Sequence, residues 1–179
     1  IRYEESKPRL TVYIHDPVFT DQLYQISPYF NPKNGRSFIL NGKGPGRRFS
    51  IRYGIIGLAT RSKSVEVIGN TLSGEEKEKR ELIRVWSMTD EQAESAKDKP
   101  SCLAISIFDP RSKAHVGLIY VDAETENFFC EAESKDFFLS SIYSLDSFSA
   151  LVDAVTDMHK LTRQIDVRFD LTRIRPSND

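Results

Sequence analysis

The sequence predicts one α+β domain with a mainly antiparallel central sheet, a long terminal helix on one face and connecting helices on the other. Two apolar runs, Cys102–Phe108 and Val116–Val121, flank a polar connector with a proline, as two antiparallel strands joined by a loop would. Both alternating rows of these runs are apolar, which indicates strands covered on both faces. An amphipathic pattern from Asp146 to at least Gln164 predicts the terminal helix.

The alternation also predicts which residues of this hairpin share a face. In the first strand, Leu103, Ile105 and Ile107 point to one side. In the second strand the alternation assigns a common face to a row of three residues, Val116, Leu118 and Tyr120.

The first forty residues carry weaker patterns. Residues Ile1–Arg9 are polar and are expected to be a linker or the end of an upstream helix. The alternation in Leu10–His15 predicts a strand that ends at Asp16-Pro17. The apolar spacing in Asp21–Phe30 predicts a short helix, and Arg36–Leu40 follows an Asn-Gly turn as a short strand.

The middle of the chain alternates glycine-rich and charged segments. Residues Asn41–Arg48 form a basic, glycine-rich loop, and Gly54–Ala59 predicts a short helix whose glycines would let it lie close to the sheet. A third strand is expected at Val65–Ile68. The segment Ser73–Lys99 predicts two charged helices, the second opened by the capping box that starts at Thr89.

The end of the chain is only partly assigned by its pattern. Residues Glu124–Lys135 are acidic and read as irregular, and Asp136–Tyr143 has no clear assignment. Residues Ile165–Ile174 fit either a continued helix or a strand. The domain is therefore expected to span residues 10–169, with residues 170–179 as a tail.

Composition excludes several classes of protein. The 179 residues suffice for one core, and a net charge of −1 argues against a nucleic-acid surface. The two cysteines do not form a secreted disulfide framework, so a cytoplasmic location is expected. No apolar run is long enough to cross a bilayer, so a membrane would be reached only through a segment outside this sequence.

The chain resembles the GAF domain family. The resemblance is carried by Gly54–Ala59 followed by Val65–Val67, and by the hairpin formed by Ser101–Phe108 and His115–Asp122. It implies a regulatory domain whose ligand lies between the sheet and the helices that connect its middle strands. These motifs are structural, so they indicate the fold more strongly than the function.

Three functional patterns of that family are not present in this sequence. The cyclic-nucleotide-binding members carry an Asn-Lys pair and a Phe-x-x-x-Asp-Glu pattern, of which only Phe128 and Glu133 remain. The bilin-binding members use a Cys-His dipeptide, and neither cysteine here precedes a histidine. The methionine-sulfoxide-reducing members use three cysteines, whereas this chain has two. The ligand, and any cofactor, is therefore left unknown.

A ligand pocket is predicted on the sheet face away from the terminal helix. Tyr53, Trp86 and Tyr120 would supply aromatic walls, and Arg84 or Ser106 would supply polar contacts. The alternative is that Trp86 and Tyr120 close a core without a ligand.

The glycine-rich loop is a second, weaker candidate site. Its exposed backbone N–H groups and the side chains of Lys43, Arg47 and Arg48 would suit an anion. It lacks the Walker A spacing, so the alternative is an ordinary surface loop before a helix.

The thiols and imidazoles carry weak signals. Cys102 lies in an apolar strand, where a thiol is usually a small buried hydrophobic group, and Cys130 is the more reactive candidate. The three histidines, His15, His115 and His159, fall on separate elements without metal-site spacing, and no metal is expected.

The sequence leaves three functions open. The first is a non-enzymatic sensor or regulatory domain that binds a small molecule and passes a signal through its terminal helices. The second is a ligand-free homodimerisation scaffold that uses apolar residues of the terminal helix, namely Ala150, Ala154 and Leu161. The third is a thiol-based redox enzyme that uses Cys102 or Cys130.

Overall fold

The computed structural model describes residues 8–16, 18–30, 37–38, 44–64, 66–70, 75–96, 100–130, 132–143 and 146–168. Its strands are β1 (Arg9–His15), β2 (Gln22–Gln25), β3 (Tyr29–Phe30), β4 (Ser37–Phe38), β5 (Arg48–Ser50), β6 (Glu66–Asn70), β7 (Ser101–Phe108) and β8 (His115–Ala123). Its helices are α1 (Gly54–Ser62), α2 (Glu75–Arg84), α3 (Asp90–Ala96), α4 (Ala132–Tyr143) and α5 (Asp146–Arg168).

The strands form one antiparallel sheet, in the order β4-β3-β1-β8-β7-β6. One edge of β1 pairs with β8, and its opposite edge pairs with two strands. On that opposite edge, Tyr13–His15 pair with β2 and Leu10 pairs with Phe30 of β3. Strand β5 pairs with the outer edge of β2. The α+β class and the mainly antiparallel sheet predicted from the sequence are confirmed.

The central hairpin is confirmed, with one irregularity. Strands β7 and β8 pair from Ser101 opposite Ala123 to Phe108 opposite His115, and the register shifts between Ile107 and Phe108. This bulge places an extra residue on β8, and Val116 turns to the terminal-helix face. The prediction that Val116 shares a face with Leu118 was therefore wrong, because it assumed strict alternation along a strand that contains a bulge.

The terminal helix covers one face of the sheet, as predicted. Val155 of α5 is buried against Leu103, Ile105 and Ile119 of the central hairpin. Helix α4 adds Leu139 and Ile142 to the same cluster, so the segment left unassigned by its pattern is a helix. Helix α5 continues to Arg168, which decides the start of the ambiguous Ile165–Ile174 segment in favour of helix.

The cover on the other face differs from the prediction. Helix α1 packs directly on β7 and β8 through Ile55, Ile56 and Ala59. The charged helices α2 and α3 pack against each other. Trp86, which follows α2, packs against the apolar cluster between α1 and the sheet. Most of the cover expected from Ser73–Lys99 is thus supplied by α1.

The predicted helix in Asp21–Phe30 is wrong. This segment forms β2 and β3, in which Leu23 and Gln25 alternate as buried residues. Gln25 is buried because its amide nitrogen donates to the Thr11 hydroxyl at 3.1 Å and to the Ser27 carbonyl at 2.9 Å. A polar side chain held on the buried face by hydrogen bonds from its amide nitrogen interrupts the hydrophobic alternation that would have identified the strand.

The first strand begins at Arg9, one residue before the predicted start at Leu10. Arg9 belongs to β1, and its guanidinium pairs with the buried Asp122 of β8 at 2.6 Å. The charge of Asp122, with a hydrogen bond, outweighs the effect of burial and raises the pKa of Arg9.

Within the described ranges, no helix is both long and apolar enough to span a membrane.

Candidate functional site

A cavity of about 480 Å³ lies on the sheet face away from α5. Its floor is formed by β1 and β8, one wall by β5, and the opposite wall by the start of α1 with the segment that follows α2. A volume of this size is typical of sites for small molecules.

The floor of the cavity is aromatic. The rings of Tyr13 and Tyr120 lie edge to face with their centroids 6.4 Å apart, and Tyr13 meets Phe49 of β5 in the same way at 5.1 Å. The Cys102 sulfur lies 3.2 Å from the Tyr120 hydroxyl. Neighbouring residues on these strands, such as Ile119 and Val12, point to the α5 face, so the cavity and α5 share a single layer of strand.

The tyrosine hydroxyls of the floor remain protonated at neutral pH. Burial raises the pKa of Tyr13 well above its usual value, and the neighbouring Tyr29 adds to the effect. Burial likewise raises the pKa of Tyr120, with Cys102 and Asp122 contributing. The floor therefore carries neutral hydroxyl groups, with that of Tyr13 hydrogen-bonded to Tyr29 and that of Tyr120 to Cys102.

Arg47, the residue that precedes β5, lines the cavity. The Arg47 backbone is held by a 2.9 Å hydrogen bond from the Gln25 amide to its carbonyl, which continues the pairing between β2 and β5. The guanidinium carbon lies 4.6 Å from the centroid of the Phe49 ring, a distance typical of a cation–π contact. This places a positive charge in the wall of the cavity.

Arg48 also lines the cavity, but its charge is compensated. Its Nε donates to Asp16 at 2.6 Å. The Asp16 carboxylate also accepts hydrogen bonds from the backbone amides of Val18 and Phe19, at 2.7 and 2.9 Å. These amides and Arg48 together lower the pKa of Asp16 against the opposing effect of burial. Arg48 thus ties β5 to the turn between β1 and β2.

The opposite wall is held by backbone and capping contacts. The Gly54 amide donates to the Trp86 carbonyl at 2.8 Å. Helix α3 begins with the predicted capping box, in which the Gln92 side chain accepts from the Thr89 amide at 2.8 Å and the Thr89 hydroxyl accepts from the Gln92 amide at 3.3 Å. Lys79 of α2 pairs with Asp90 at 2.9 Å, which joins the two charged helices.

The structure brings together most, but not all, of the residues that the sequence singled out. Tyr53, Trp86 and Tyr120 line the cavity, and so do Arg47 and Arg48 from the separately predicted anion loop. Arg84 lies outside the lining, with a side chain that is 82% exposed, and faces Glu81. Ser106 is buried on β7 but does not line the cavity either, and Lys43 falls outside the described residues.

Sequence reasoning missed the contribution of β1, β3 and β5. Tyr13, Tyr29 and Phe49 line the cavity although no motif marks them. The alternation of Leu10–His15 already placed Tyr13 on the opposite face from Val12 and Ile14, and this was the available signal. Recognising Phe49 required the β2–β5 pairing, which was hidden by the wrong helix prediction.

The two cysteines lie in different environments. Cys102 is partly buried and lines the cavity, whereas Cys130 is exposed. Neither is in a disulfide. Cys130 follows Phe129, whose side chain packs in the cluster beneath α5, on the opposite face of the sheet from the cavity. The described contacts therefore do not unite the two thiols in one site.

The three histidines, which the sequence places on separate elements, form a cluster near the loop that joins β7 and β8. His15 Nε2 and His115 Nδ1 share a hydrogen bond of 3.0 Å, and the His15 and His159 rings are 5.9 Å apart. Burial lowers the pKa of His115 to about 4, with further contributions from His15, His159 and Lys63. Among the described residues no group of three or more His, Cys, Asp or Glu side chains is arranged to hold a metal ion.

The known proteins to which the chain is similar are found among solved structures. No protein-family model matches the chain, and no curated protein is similar to it at a significant level. Solved structures similar to it include a GAF domain with 11% identity and a TM-score of 0.47, which covers 78% of this chain. The chain spans 62% of the length of that structure.

Two further similar structures are bacterial GAF domains. One belongs to a phosphoenolpyruvate-protein phosphotransferase from Acinetobacter, with 14% identity, 85% coverage of this chain, 74% coverage of that chain and a TM-score of 0.47. The other belongs to a two-component sensor histidine kinase from Bacillus halodurans, with 14% identity, 74% coverage of both chains and a TM-score of 0.44. All three of these structures are GAF domains.

Proposed function

We propose that the chain is a regulatory domain that binds a small molecule in the cavity between β1, β5, β8 and the Trp86 wall, and passes that binding to α5. The observation that carries the proposal is the cavity itself. A chain that served only as a packed scaffold would bring Trp86 and Tyr120 into one closed core, whereas here both side chains line a space of about 480 Å³. The domain is proposed to be non-enzymatic.

The route from the cavity to α5 is short. Tyr13 and Tyr120 form the floor, and the residues next to them in sequence, Ile14 and Ile119, pack in the cluster that holds Val155 of α5. Because strand residues alternate between faces, a shift of a floor tyrosine moves its strand against α5. A ligand that binds one arrangement of this layer better than another would shift the population of α5 positions.

Native mass spectrometry tests the binding. Protein incubated with a small-molecule extract of its source cells is expected to acquire a non-covalent adduct, and Cys102→Phe, which fills the cavity, is expected to lose it. Ser149→Phe adds the same ring at an exposed position of α5 and should keep the adduct. A wild-type chain without an adduct, or an adduct retained by Cys102→Phe, would contradict the proposal.

A second proposal concerns a homodimer through α5. Helix α5 exposes a row of apolar residues three or four apart, beside the sector that packs on the sheet: Ala150, Ala154, Met158 and Leu161. Leu161 is 59% and Met158 38% exposed. Residues at this spacing share one helix face and can pair with the same face of a second copy. Sedimentation equilibrium of the chain tests it, and a monomer at all concentrations would contradict it.

A further inference from the structure

We infer that the molecule bound in the cavity is a flat aromatic or heteroaromatic compound with one anionic group, and that Arg47 receives this group. The inference rests on the proposed function and adds the chemical class of the ligand. Two separate observations lead to it: the electrostatic balance of the cavity wall, and the shape and chemistry of the remaining surface.

One N–H donor of the Arg47 guanidinium is buried and meets no acceptor among the described residues. Its Nη1 is buried, and none of the described residues accepts a hydrogen bond from it. The contact with Phe49 stabilises the positive charge but supplies no acceptor. A buried, charged donor with no acceptor is costly, and a planar guanidinium is suited to a carboxylate, sulfonate or phosphate. An anion in the cavity would satisfy it.

The other charges of the cavity do not cancel Arg47. The charge of Arg48 is compensated by Asp16 at 2.6 Å. Glu91 belongs to the lining, but its side chain is exposed on α3, where water screens it. The raised pKa values keep the hydroxyls of Tyr13 and Tyr120 protonated, so they add no negative charge. Among the described residues, the charge that remains uncompensated in the cavity wall is therefore the positive charge of Arg47.

The rest of the surface favours a flat ring. Tyr13, Phe49 and Tyr120 form a chain of edge-to-face contacts, and Trp86 lies in the opposite wall. Aromatic walls of this kind pack best against another aromatic surface. The volume of about 480 Å³ is ample for one or two fused rings with a substituent.

Two dyes that differ only in charge test the inference. Anilinonaphthalene sulfonate carries one sulfonate, and N-phenylnaphthylamine is the same molecule without it. Trp86 is the only tryptophan of the chain, so quenching of its emission reports binding in this cavity. We expect the sulfonate to bind at least about tenfold more tightly than the neutral dye.

Variants at Arg47 locate the anionic group. Arg47→Gln should weaken sulfonate binding by about tenfold and leave the neutral dye within about twofold, while Arg47→Lys should restore part of the preference. The matched control is Arg52→Gln, which removes the same charge from a side chain that is 77% exposed and paired with Asp21. The control should bind both dyes as the wild type does.

The outcomes separate the two proposals. Equal affinity of the wild type for both dyes, or a preference unchanged in Arg47→Gln, would overturn the anionic ligand class while leaving a binding cavity in place. This wild-type comparison holds even if Arg47→Gln does not fold. Failure of both dyes to quench Trp86 in the folded wild type would instead contradict the proposed function.

Discussion

The backbone amide of Gly54 donates a 2.8 Å hydrogen bond to the carbonyl oxygen of Trp86, which joins the first residue of α1 to the segment after α2. Gly54 makes this contact with φ at +69°, a left-handed conformation. The bond fixes one wall of the cavity against the helix that packs on the sheet. The position of Trp86 is therefore determined by α1 as well as by its own helix.

Replacing Gly54 by alanine is expected to destabilise the chain by about 1–2 kcal/mol, because a side chain at positive φ is strained. The new Cβ would also lie 3.0 Å from the Met88 Cε in the cavity wall. Urea denaturation measures the change, and Trp86 emission should shift in the folded state. Leu58→Ala, at an exposed position of α1, is the control and should cost less than the glycine substitution. Equal stability of Gly54→Ala and wild type would contradict this role.

Replacing Gly57 by alanine is expected to be more damaging than a typical helix substitution. A Cβ there would lie 2.7 Å from the carbonyl oxygen of Ile51, a backbone atom that cannot turn aside as a side chain does. The sequence predicted that these glycines allow close approach to the sheet, but they meet Met88 and Ile51 instead. Thermal unfolding of Gly57→Ala measures the effect, and an unchanged melting temperature would show that the turn before α1 can relax.

Val155→Asp is expected to reduce the free energy of unfolding by at least about 3 kcal/mol, since it buries a charge beneath the central hairpin. Ser149→Asp places the same charge at an exposed position of α5 and should change stability by less than about 0.5 kcal/mol. Chemical denaturation distinguishes the two. An unchanged melting temperature in Val155→Asp would contradict the packing of α5 on the sheet.

Leu161→Asp is expected to convert a dimer into a monomer without unfolding the domain, because Leu161 is exposed in the chain itself. Sedimentation equilibrium measures the mass, and circular dichroism checks that the helix content is retained. Ser149→Asp lies away from the apolar row of α5 and should remain dimeric. A Leu161→Asp variant with the mass of the wild type would exclude this face as the interface.

Stability should fall as the pH drops from about 6.5 to about 4. His115 has a folded-state pKa of about 4, below the unfolded value of about 6.5. Above pH 6.5 both states are neutral at His115, and its contribution is fully present. Between the two values the unfolded state binds a proton that the folded state does not, so up to about 3 kcal/mol is lost.

The matching variant is His115→Gln, which cannot titrate. The difference in the free energy of unfolding between wild type and His115→Gln should change across this pH window and be constant above it. Urea denaturation at several pH values measures this difference. A difference that does not vary with pH would show that His115 is not buried in its neutral form.

The elements marked by long apolar patterns could be predicted from the sequence. The β7–β8 hairpin and α5 are long and periodic, and the capping box at Thr89 marked α3. The β2 strand could not be recognised in this way, because its buried Gln25 relies on Thr11 and Ser27 for hydrogen bonds. The apolar pattern of the sequence does not reveal these polar contacts, of which the one to Thr11 joins two strands.

The site was predictable in its aromatic residues and not in its charge. Tyr53, Trp86 and Tyr120 were expected to supply aromatic walls, and all three line the cavity. Arg47 and Arg48 have the same charge and adjacent positions. Within the described part of the chain, however, only Arg48 meets a carboxylate, because β5 lies beside the turn that holds Asp16. Likewise, the histidine cluster depends on the pairing of β1 with β8 and the position of α5.

Hydrogen exchange of α5 tests the central claim, that occupation of the cavity reaches the terminal helix. The wild type is saturated with anilinonaphthalene sulfonate, as judged by quenching of Trp86, and backbone exchange is compared with that of the dye-free chain. The account predicts altered exchange in α5 around Val155 for the wild type, and no change for Cys102→Phe. Exchange in α5 that stays the same while Trp86 is fully quenched would contradict it.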